Sequence, residues 1–195
     1  MKKIVVLVSG GGTNLQAIID AVGDGRIKNA EIVRVISSKA GVFALSRAEA
    51  AGIAATVLPR KDFADSHAYS VAMAALLKEI APDLIIYAGF MTILDEAVCT
   101  PFAGKMINVH PSLIPSFSGE GFYGLRVHEA ALSRGVKVTG ATVHIVTAEC
   151  DGGSIVMQKA VDVLPGDTPE TLQRRVMEEA EWVILPAAAE MLLGG

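Results

Sequence analysis

Short apolar runs that alternate with helical patterns are the feature that most constrains how this chain can fold. The runs lie at residues 4–8, 31–36, 55–58, 84–88 and 106–109, and most of their side chains are β-branched. A βαβα order of this kind predicts parallel strands that are joined by right-handed crossovers. In such sheets ligands bind outside the carboxyl ends of the strands.

The rhythm changes in the last third of the chain. Residues 137–146 and 154–163 are two long extended runs that we expect to pair as antiparallel strands, and a final helix over residues 168–193 should be kinked or divided at Pro186. Together these patterns predict an α/β fold of Rossmann-like type. Its sheet is open and mostly parallel, with helices on both faces and an antiparallel C-terminal strand pair, and residues 1–195 form a single domain.

Composition narrows the range of partners. The net charge is −4 and no run of Lys and Arg exceeds two residues, which argues against a nucleic acid or a membrane as the main partner and favours small molecules. Cys99 and Cys150 lack a paired spacing, and the four histidines lack the spacing of metal ligands. We therefore expect a cytoplasmic protein without a metal, and the sequence leaves its oligomeric state open.

A glycine-rich stretch, SGGGTN at residues 9–14, follows the first strand and opens the first helix. Glycines let a ligand approach the backbone closely, and the free N–H groups of a helix N-terminus attract phosphate. The stretch therefore predicts a phosphate site, although it matches neither the dinucleotide fingerprint nor a Walker loop. The alternative is a tight turn in which Thr13 or Asn14 only caps the helix.

The fifth apolar run ends in the sequence INVHPSLIP, residues 107–115. Side chains alternate along a strand, so Asn108 and His110 point to the same face. Prolines and glycines then predict a loop over residues 111–124, and loops of this length in compact domains are usually functional. This polar pair is a candidate catalytic site, and the alternative is that both side chains only satisfy loop backbone groups.

Asp151 lies in the Asp-Gly-Gly turn between the two long extended runs. A carboxylate there could hold His110 in place and raise its pKa, and the alternative is an ordinary hairpin turn. The other histidines are weaker candidates. His67 and His128 lie in helical contexts that we expect to be exposed, and His144 alternates with apolar residues, as is typical of a histidine satisfied within a sheet.

Five motifs resemble, in order, those of the phosphoribosylglycinamide formyltransferase family, within the folate-dependent formyltransferase superfamily. They are SGGGTNLQ at residues 9–16, AGFM at 88–91, NVHPSLIP at 108–115, TGATVH at 139–144 and DGG at 151–153. The resemblance spans nearly the whole chain, and the third motif followed by the fifth is its most specific part. It implies transfer of the formyl group of 10-formyltetrahydrofolate to the amine of 5-phosphoribosylglycinamide, a step of purine biosynthesis.

The resemblance also implies roles for individual residues. Asn108 would donate a hydrogen bond to the tetrahedral oxyanion. His110 as imidazolium would stabilise the oxyanion and supply or relay the proton, and Asp151 would keep this histidine charged and oriented. The residues implied at the phosphorylated substrate are Gly12, Thr13, Asn14 and Glu181. Those implied at the folate are His67, Met91, Thr92, Ile93, Leu94, Asn108, Thr147 and Asp151, with no metal.

Three departures from the family pattern are visible. Thr92 and His67 each stand where an Arg is common in the family. The third departure lies around Glu181, where the spacing from Arg175 is one residue longer than the pattern and Trp182 replaces a usual His.

Other functions are compatible with parts of this sequence. A formyltetrahydrofolate hydrolase would use the same Asn, His and Asp on water, but it normally carries an extra N-terminal regulatory domain. A methionyl-tRNA formyltransferase would need a C-terminal RNA-binding domain and a basic surface. A non-catalytic nucleotide-binding module would use residues 9–14 and leave Asn108, His110 and Asp151 without a role.

Overall fold

Seven strands form one sheet in the computed structural model of the protein, which describes residues 1–194. The order across the sheet is β3-β2-β1-β4-β5-β6-β7. The first five of these are parallel, and β6 and β7 are antiparallel to their neighbours. The strands are β1 (Lys2–Val8), β2 (Ala30–Ser37), β3 (Ala55–Val57), β4 (Leu84–Tyr87), β5 (Met106–His110), β6 (Val138–Ile145) and β7 (Ile155–Asp162).

Helices cover both faces of the sheet, which confirms the predicted α/β architecture. They are α1 (Thr13–Gly23), α2 (Phe43–Ala50), α3 (Ser66–Ile80), α4 (Glu96–Cys99), α5 (Leu125–Arg134), α6 (Pro169–Val176) and α7 (Trp182–Gly194), with a short 3₁₀ turn at Arg60–Asp62. None of the helices formed by residues 1–194 is both long and apolar enough to span a bilayer.

Alternation along the strands divides the core between the two faces. In β1, Ile4 and Val6 pack with residues of α1, α2, α6 and α7, whereas Val5 and Leu7 pack with residues of α3 and α4. A central parallel strand that is apolar at every position is buried on both sides. The near-continuous apolar runs of the sequence therefore correspond to the middle of the sheet.

The last helical segment differs from its prediction. It begins at the predicted position, and the structure has Thr168 as the N-cap and Pro169 in the first turn. A π-helical turn at Met177–Glu181 then separates α6 from α7, whereas Pro186 lies inside α7. The division therefore occurs ahead of the proline, at the point where the sequence carries one residue more than the family pattern.

Candidate active site

The loop over residues 111–124 is confirmed, and the antiparallel strands hold its first half in place. The Thr142 hydroxyl in β6 donates to the carbonyl oxygen of Ser112 at 2.6 Å and accepts the Ile114 N–H at 3.0 Å. Gln158 in β7 donates to the carbonyl oxygen of Ile114 at 3.0 Å. These contacts fix the chain directly after His110, so the position of that side chain depends on strands far away in sequence.

Asn108, His110, His144 and Asp151 form one polar network. Asp151 Oδ2 lies 3.5 Å from His110 Nδ1, and Asp151 Oδ1 lies 3.5 Å from His144 Nε2. The amide Nδ2 of Asn108 lies 3.1 Å from His144 Nε2, because β5 and β6 pair with these two residues opposite each other. The structure thus brings together the three residues predicted as catalytic and adds His144 to them.

Backbone carbonyls determine where the protons of both imidazoles lie. His110 Nε2 is 2.8 Å from the carbonyl oxygen of Phe117. His144 Nδ1 is 2.9 Å from that of Ile145. A carbonyl oxygen only accepts, so each of these nitrogens carries a proton. If a ring is neutral, its other nitrogen is an acceptor. In that form of His144, Asn108 donates one amide N–H to Nε2, and the second amide N–H of Asn108 is left for a ligand.

Burial and charge act in opposite directions on this network. Burial lowers the pKa of His110 and outweighs the Phe117 carbonyl and the Asp151 carboxylate, which both raise it. Asp151 acts in the predicted direction, but the net change is opposite to the expectation. Burial alone would raise the pKa of Asp151, whereas its contacts with His144, His110 and the Gly119 N–H hold that pKa below its ordinary value. In the free protein at neutral pH, the Asp151 carboxylate therefore faces an uncharged His110 imidazole.

The Asp-Gly-Gly turn is more specific than an ordinary hairpin. Asp151 has a φ of 54°, in the left-handed region that Asp tolerates better than most residues. Its Oδ2 accepts the Gly119 N–H at 2.9 Å, and its side chain is only 10% exposed. A Cβ at Gly153 would collide with the carbonyl oxygen of Ile145. Glycine at 153 therefore lets the loop fold tightly onto the end of β6 and bring Asp151 to the histidines.

A cavity of about 790 Å³ opens onto this network, at the loops that follow β4, β5 and β6. Met91 and Ile93 are half-exposed apolar side chains in its wall, of a kind that can cover a flat ring. The residues predicted from sequence that line it are Asn14, Met91, Thr92, Ile93, Leu94, Asn108, His110, Thr147, Asp151 and Glu181.

Three of the predicted residues lie outside the cavity lining. His67 is in the first turn of α3 with a 73% exposed side chain, and its Nδ1 lies 2.8 Å from Asp95 Oδ2. Gly12 is the N-cap residue of α1 and Thr13 is its first residue, which lines a second pocket of about 230 Å³. His67 therefore has a carboxylate partner outside the cavity lining. Gly12 and Thr13 of the glycine turn also lie outside that lining, whereas the adjacent Asn14 is part of it.

The glycines of this turn have different physical reasons to be glycine. Gly12 has a φ of 74°, and a Cβ there would lie 2.7 Å from the Cβ of Ala44 in α2. A Cβ at Gly10 or Gly11 would have no neighbour within 4 Å. Gly12 is therefore required by the fold, whereas the open space at Gly10 and Gly11 leaves their backbone accessible to a ligand.

Asn14 and Glu181 form a buried pair at the cavity wall. Asn14 Nδ2 donates to Glu181 Oε2 at 2.8 Å, and the buried Asn14 Oδ1 has no partner among residues 1–194. Burial raises the pKa of Glu181 to about 7, and the hydrogen bond from Asn14 offsets this only in part. The free groups of the pair are mainly acceptors. They suit hydroxyl or N–H groups of a substrate better than phosphate oxygens, which would lie at the turn's backbone N–H groups.

The π-helical turn explains how Glu181 reaches the cavity despite the longer spacing. A π-helical turn closes with a bond from residue i to i+5, so it holds one more residue than an α-helical turn. Leu172 and Val176 before the turn are buried, as are Ile184 and Leu185 after it. The turn absorbs the additional residue between these anchors, so both helices keep their apolar faces on the core.

Sequence reasoning missed several cavity residues. His128 was expected to be exposed, which is wrong, because it is fully buried in α5 and lines the cavity. His144 lies in the sheet with both nitrogens engaged, as expected, but it also contacts Asn108 and Asp151. A signal for His128 existed, since Val127 and Ala131 are the apolar residues beside it on the helix. Among residues 1–194, no group of three or more His, Cys, Asp and Glu side chains could hold a metal ion.

Known proteins resemble this chain over nearly its whole length. The family model described as formyl transferase matches residues 2–188. Phosphoribosylglycinamide formyltransferase of Haemophilus influenzae is 42% identical, and the match covers 100% of this chain and 89% of that protein. The trifunctional purine biosynthetic protein adenosine-3 of Gallus gallus is 44% identical over 99% of this chain, which spans only 18% of that longer protein.

A solved structure shares the fold as well. The crystal structure of glycinamide ribonucleotide transformylase 1 from Symbiobacterium toebii superposes with a TM-score of 0.92 at 42% identity. The match covers 100% of this chain and 89% of that one. Sequence and fold agree, and the chain therefore belongs to the formyl transferase family and, within it, to the phosphoribosylglycinamide formyltransferases.

Proposed function

We propose that the protein transfers the formyl group of 10-formyltetrahydrofolate to the amine of 5-phosphoribosylglycinamide, a step of purine biosynthesis. The observation that carries the proposal is the convergence of Asn108, His110 and Asp151 at the wall of one large cavity. Acyl transfer to an amine requires a hydrogen-bond donor for the oxyanion and a group beside it that accepts the amine proton. Asn108 can be the donor, and His110 with Asp151 can accept the proton.

Two groups of residues in the cavity lining suit the two substrates. Asn14 and Glu181 present buried acceptors beside the glycine turn, which matches a phosphorylated sugar that carries hydroxyl groups. Met91, Ile93 and Thr147 lie on the loops after β4 and β6. Their presence in the lining supports binding of a pterin and its aryl group against these loops. Asn108 and His110 lie on the same lining, at the end of β5.

The chemistry follows from where the protons are. The amine nitrogen forms a bond to the formyl carbon, and the carbonyl oxygen becomes an oxyanion that the free N–H of Asn108 can bind. The amine proton can pass to His110 Nδ1, which is an acceptor in the free protein and becomes an imidazolium beside the Asp151 carboxylate. The carbonyl then reforms, the bond from carbon to the folate nitrogen breaks, and that nitrogen takes the proton. No oxidation or reduction occurs.

Two further inferences concern the partners and the location of the protein. A net charge of −4 and the absence of long basic runs support small molecules rather than a nucleic acid as partners. The unpaired use of cysteine supports a cytoplasmic location.

The direct test is an assay of formyl transfer to phosphoribosylglycinamide, with water as the only acceptor in the control. We expect transfer that depends on the phosphorylated acceptor and little release of formate without it. Rapid formate release that does not depend on the acceptor would indicate a hydrolase instead. No turnover of the folate in either assay would contradict both readings and leave a binding module.

A further inference from the structure

His128 combines three properties that the proposed mechanism does not use. Its side chain is fully buried in α5. Neither of its ring nitrogens has a hydrogen-bond partner among residues 1–194. It also lines the large cavity, with the catalytic network. A buried polar group without a partner destabilises a folded protein by about 1–3 kcal/mol. A fully buried imidazole with two such atoms is therefore less favourable for folding than an apolar side chain of similar size.

The surroundings of His128 place it on the side of Glu181. Helix α5 packs against α6, and the cavity-lining residues Gln173 and Met177 lie on α6 and at the start of the π-helical turn that ends in Glu181. His110 lines the same cavity. His128 thus shares the cavity lining with the catalytic histidine and with the segment that leads to Glu181.

The ring is uncharged under ordinary conditions. Burial, with a smaller effect of His110, lowers the pKa of His128 to about 4. A neutral imidazole offers one N–H donor and one nitrogen acceptor. The glycinamide part of the acceptor substrate has one amide N–H and one carbonyl oxygen, which is the complementary pair.

We propose that His128 is a further substrate-binding residue, which hydrogen-bonds the amide of the glycinamide acceptor beside His110 and so positions its amine for attack. This inference rests on the proposed formyl transfer. It predicts opposite effects on stability and on binding. Replacing the ring by an apolar side chain should relieve the free protein of an unpaired buried group while removing a contact of the bound state.

The test compares kcat and both KM values of wild type, His128→Phe, His128→Leu and His128→Gln, with a thermal melt of each free protein. We expect either apolar variant to raise the KM for phosphoribosylglycinamide about tenfold, to leave the KM for 10-formyltetrahydrofolate within about twofold, and to melt no lower than wild type. Gln carries a donor and an acceptor on one side chain, so it should recover most of the lost affinity.

Thr139→Val is the matched control. Thr139 is also buried with an unpartnered hydroxyl, but it lies outside the cavity lining. Its removal should leave both KM values unchanged.

Three results would overturn the role of His128. They are an unchanged acceptor KM in a folded Phe or Leu variant, a rise in the folate KM instead, and a Gln variant no better than the apolar ones. If one apolar variant fails to fold, the other and Gln still decide between these outcomes. Wild-type protein that transfers no formyl group would instead overturn the proposed function itself.

Discussion

Replacing Asp151 by Asn removes one charge from the active site while changing little else. Asn has the same shape and also tolerates the left-handed backbone found at this position. Its amide oxygen can still accept the Gly119 N–H that Asp151 Oδ2 accepts at 2.9 Å. We therefore expect the variant to fold, so that its kinetics report the lost charge.

The magnitude follows from the distance between Asp151 and His110. Opposite unit charges 3.5 Å apart attract by about 5 kcal/mol at an effective dielectric constant of about 20. The amide dipole of Asn keeps part of that attraction, so we expect roughly 2.7 kcal/mol less stabilisation of the imidazolium that forms during transfer. Because about 1.36 kcal/mol corresponds to a tenfold change in rate, kcat/KM should fall about a hundredfold.

The assay is kcat/KM as a function of pH for wild type and Asp151→Asn, beside a thermal melt. The carboxylate favours protonated His110, so its neutralisation lowers the pKa of this histidine further. The acid limb of the profile, where protonation removes the proton acceptor, should therefore move to lower pH. Asp62→Asn is the control, since Asp62 is exposed and lies outside the cavity lining.

One result would refute this reasoning. A folded Asp151→Asn protein with wild-type kcat/KM and an unchanged profile would make Asp151 an ordinary turn residue and leave His110 without its proposed partner.

Three further predictions concern the residues proposed to bind the phosphorylated acceptor. The dephosphorylated acceptor should show a KM at least tenfold higher than phosphoribosylglycinamide, and equal use of both would remove Gly12, Thr13 and Asn14 from the binding site. Gly12→Ala should lower the melting temperature, because its φ of 74° and the nearby Ala44 leave no room for a Cβ, whereas Gly11→Ala should melt like wild type but bind the acceptor more weakly. Equal melting temperatures for the two variants would contradict this assignment. Glu181→Gln should raise the melting temperature of the free protein at pH 8 but change it little at pH 4.5. The pKa of the Glu181 carboxyl rises from 4.5 to about 7 on folding. The stability that the protonated carboxyl contributes is therefore complete below pH 4.5 and is lost, by roughly 3 kcal/mol, as the pH rises through 7. A pH-independent effect would indicate that Glu181 does not titrate in this range.

Much of the fold could be predicted from the sequence because local residue patterns determine the strands and helices. The alternation of β1 side chains between the two faces of the sheet and the cap at Thr168 each depend on a few neighbouring residues. Parallel strands then bring their carboxyl ends to one edge, so the end of β5 with Asn108 and His110 was a foreseeable place for a site. The motif that contributes Met91 could be predicted for the same reason. Asp151 follows the antiparallel strand β6, whose carboxyl end lies beside the start of β5, so its place in the cavity was predicted from the family resemblance.

Tertiary structure alone decided how these pieces meet. Asn14 and Glu181 are 167 residues apart, and no local pattern reveals that they share a hydrogen bond. The expected exposure of His128 was wrong because a helix sequence does not state how much of its surface will be covered, and packing of α5 on α6 beside the cavity buries this ring.

The ionisation of the site was decided in the same way. Sequence predicted that Asp151 would keep His110 charged, but the depth of burial around the ring outweighs the carboxylate. Residue types and their spacing determine which groups can exchange a proton. The desolvation that sets which of them holds it arises only when distant segments close around them, because the cost of a buried charge depends on everything that excludes water from it.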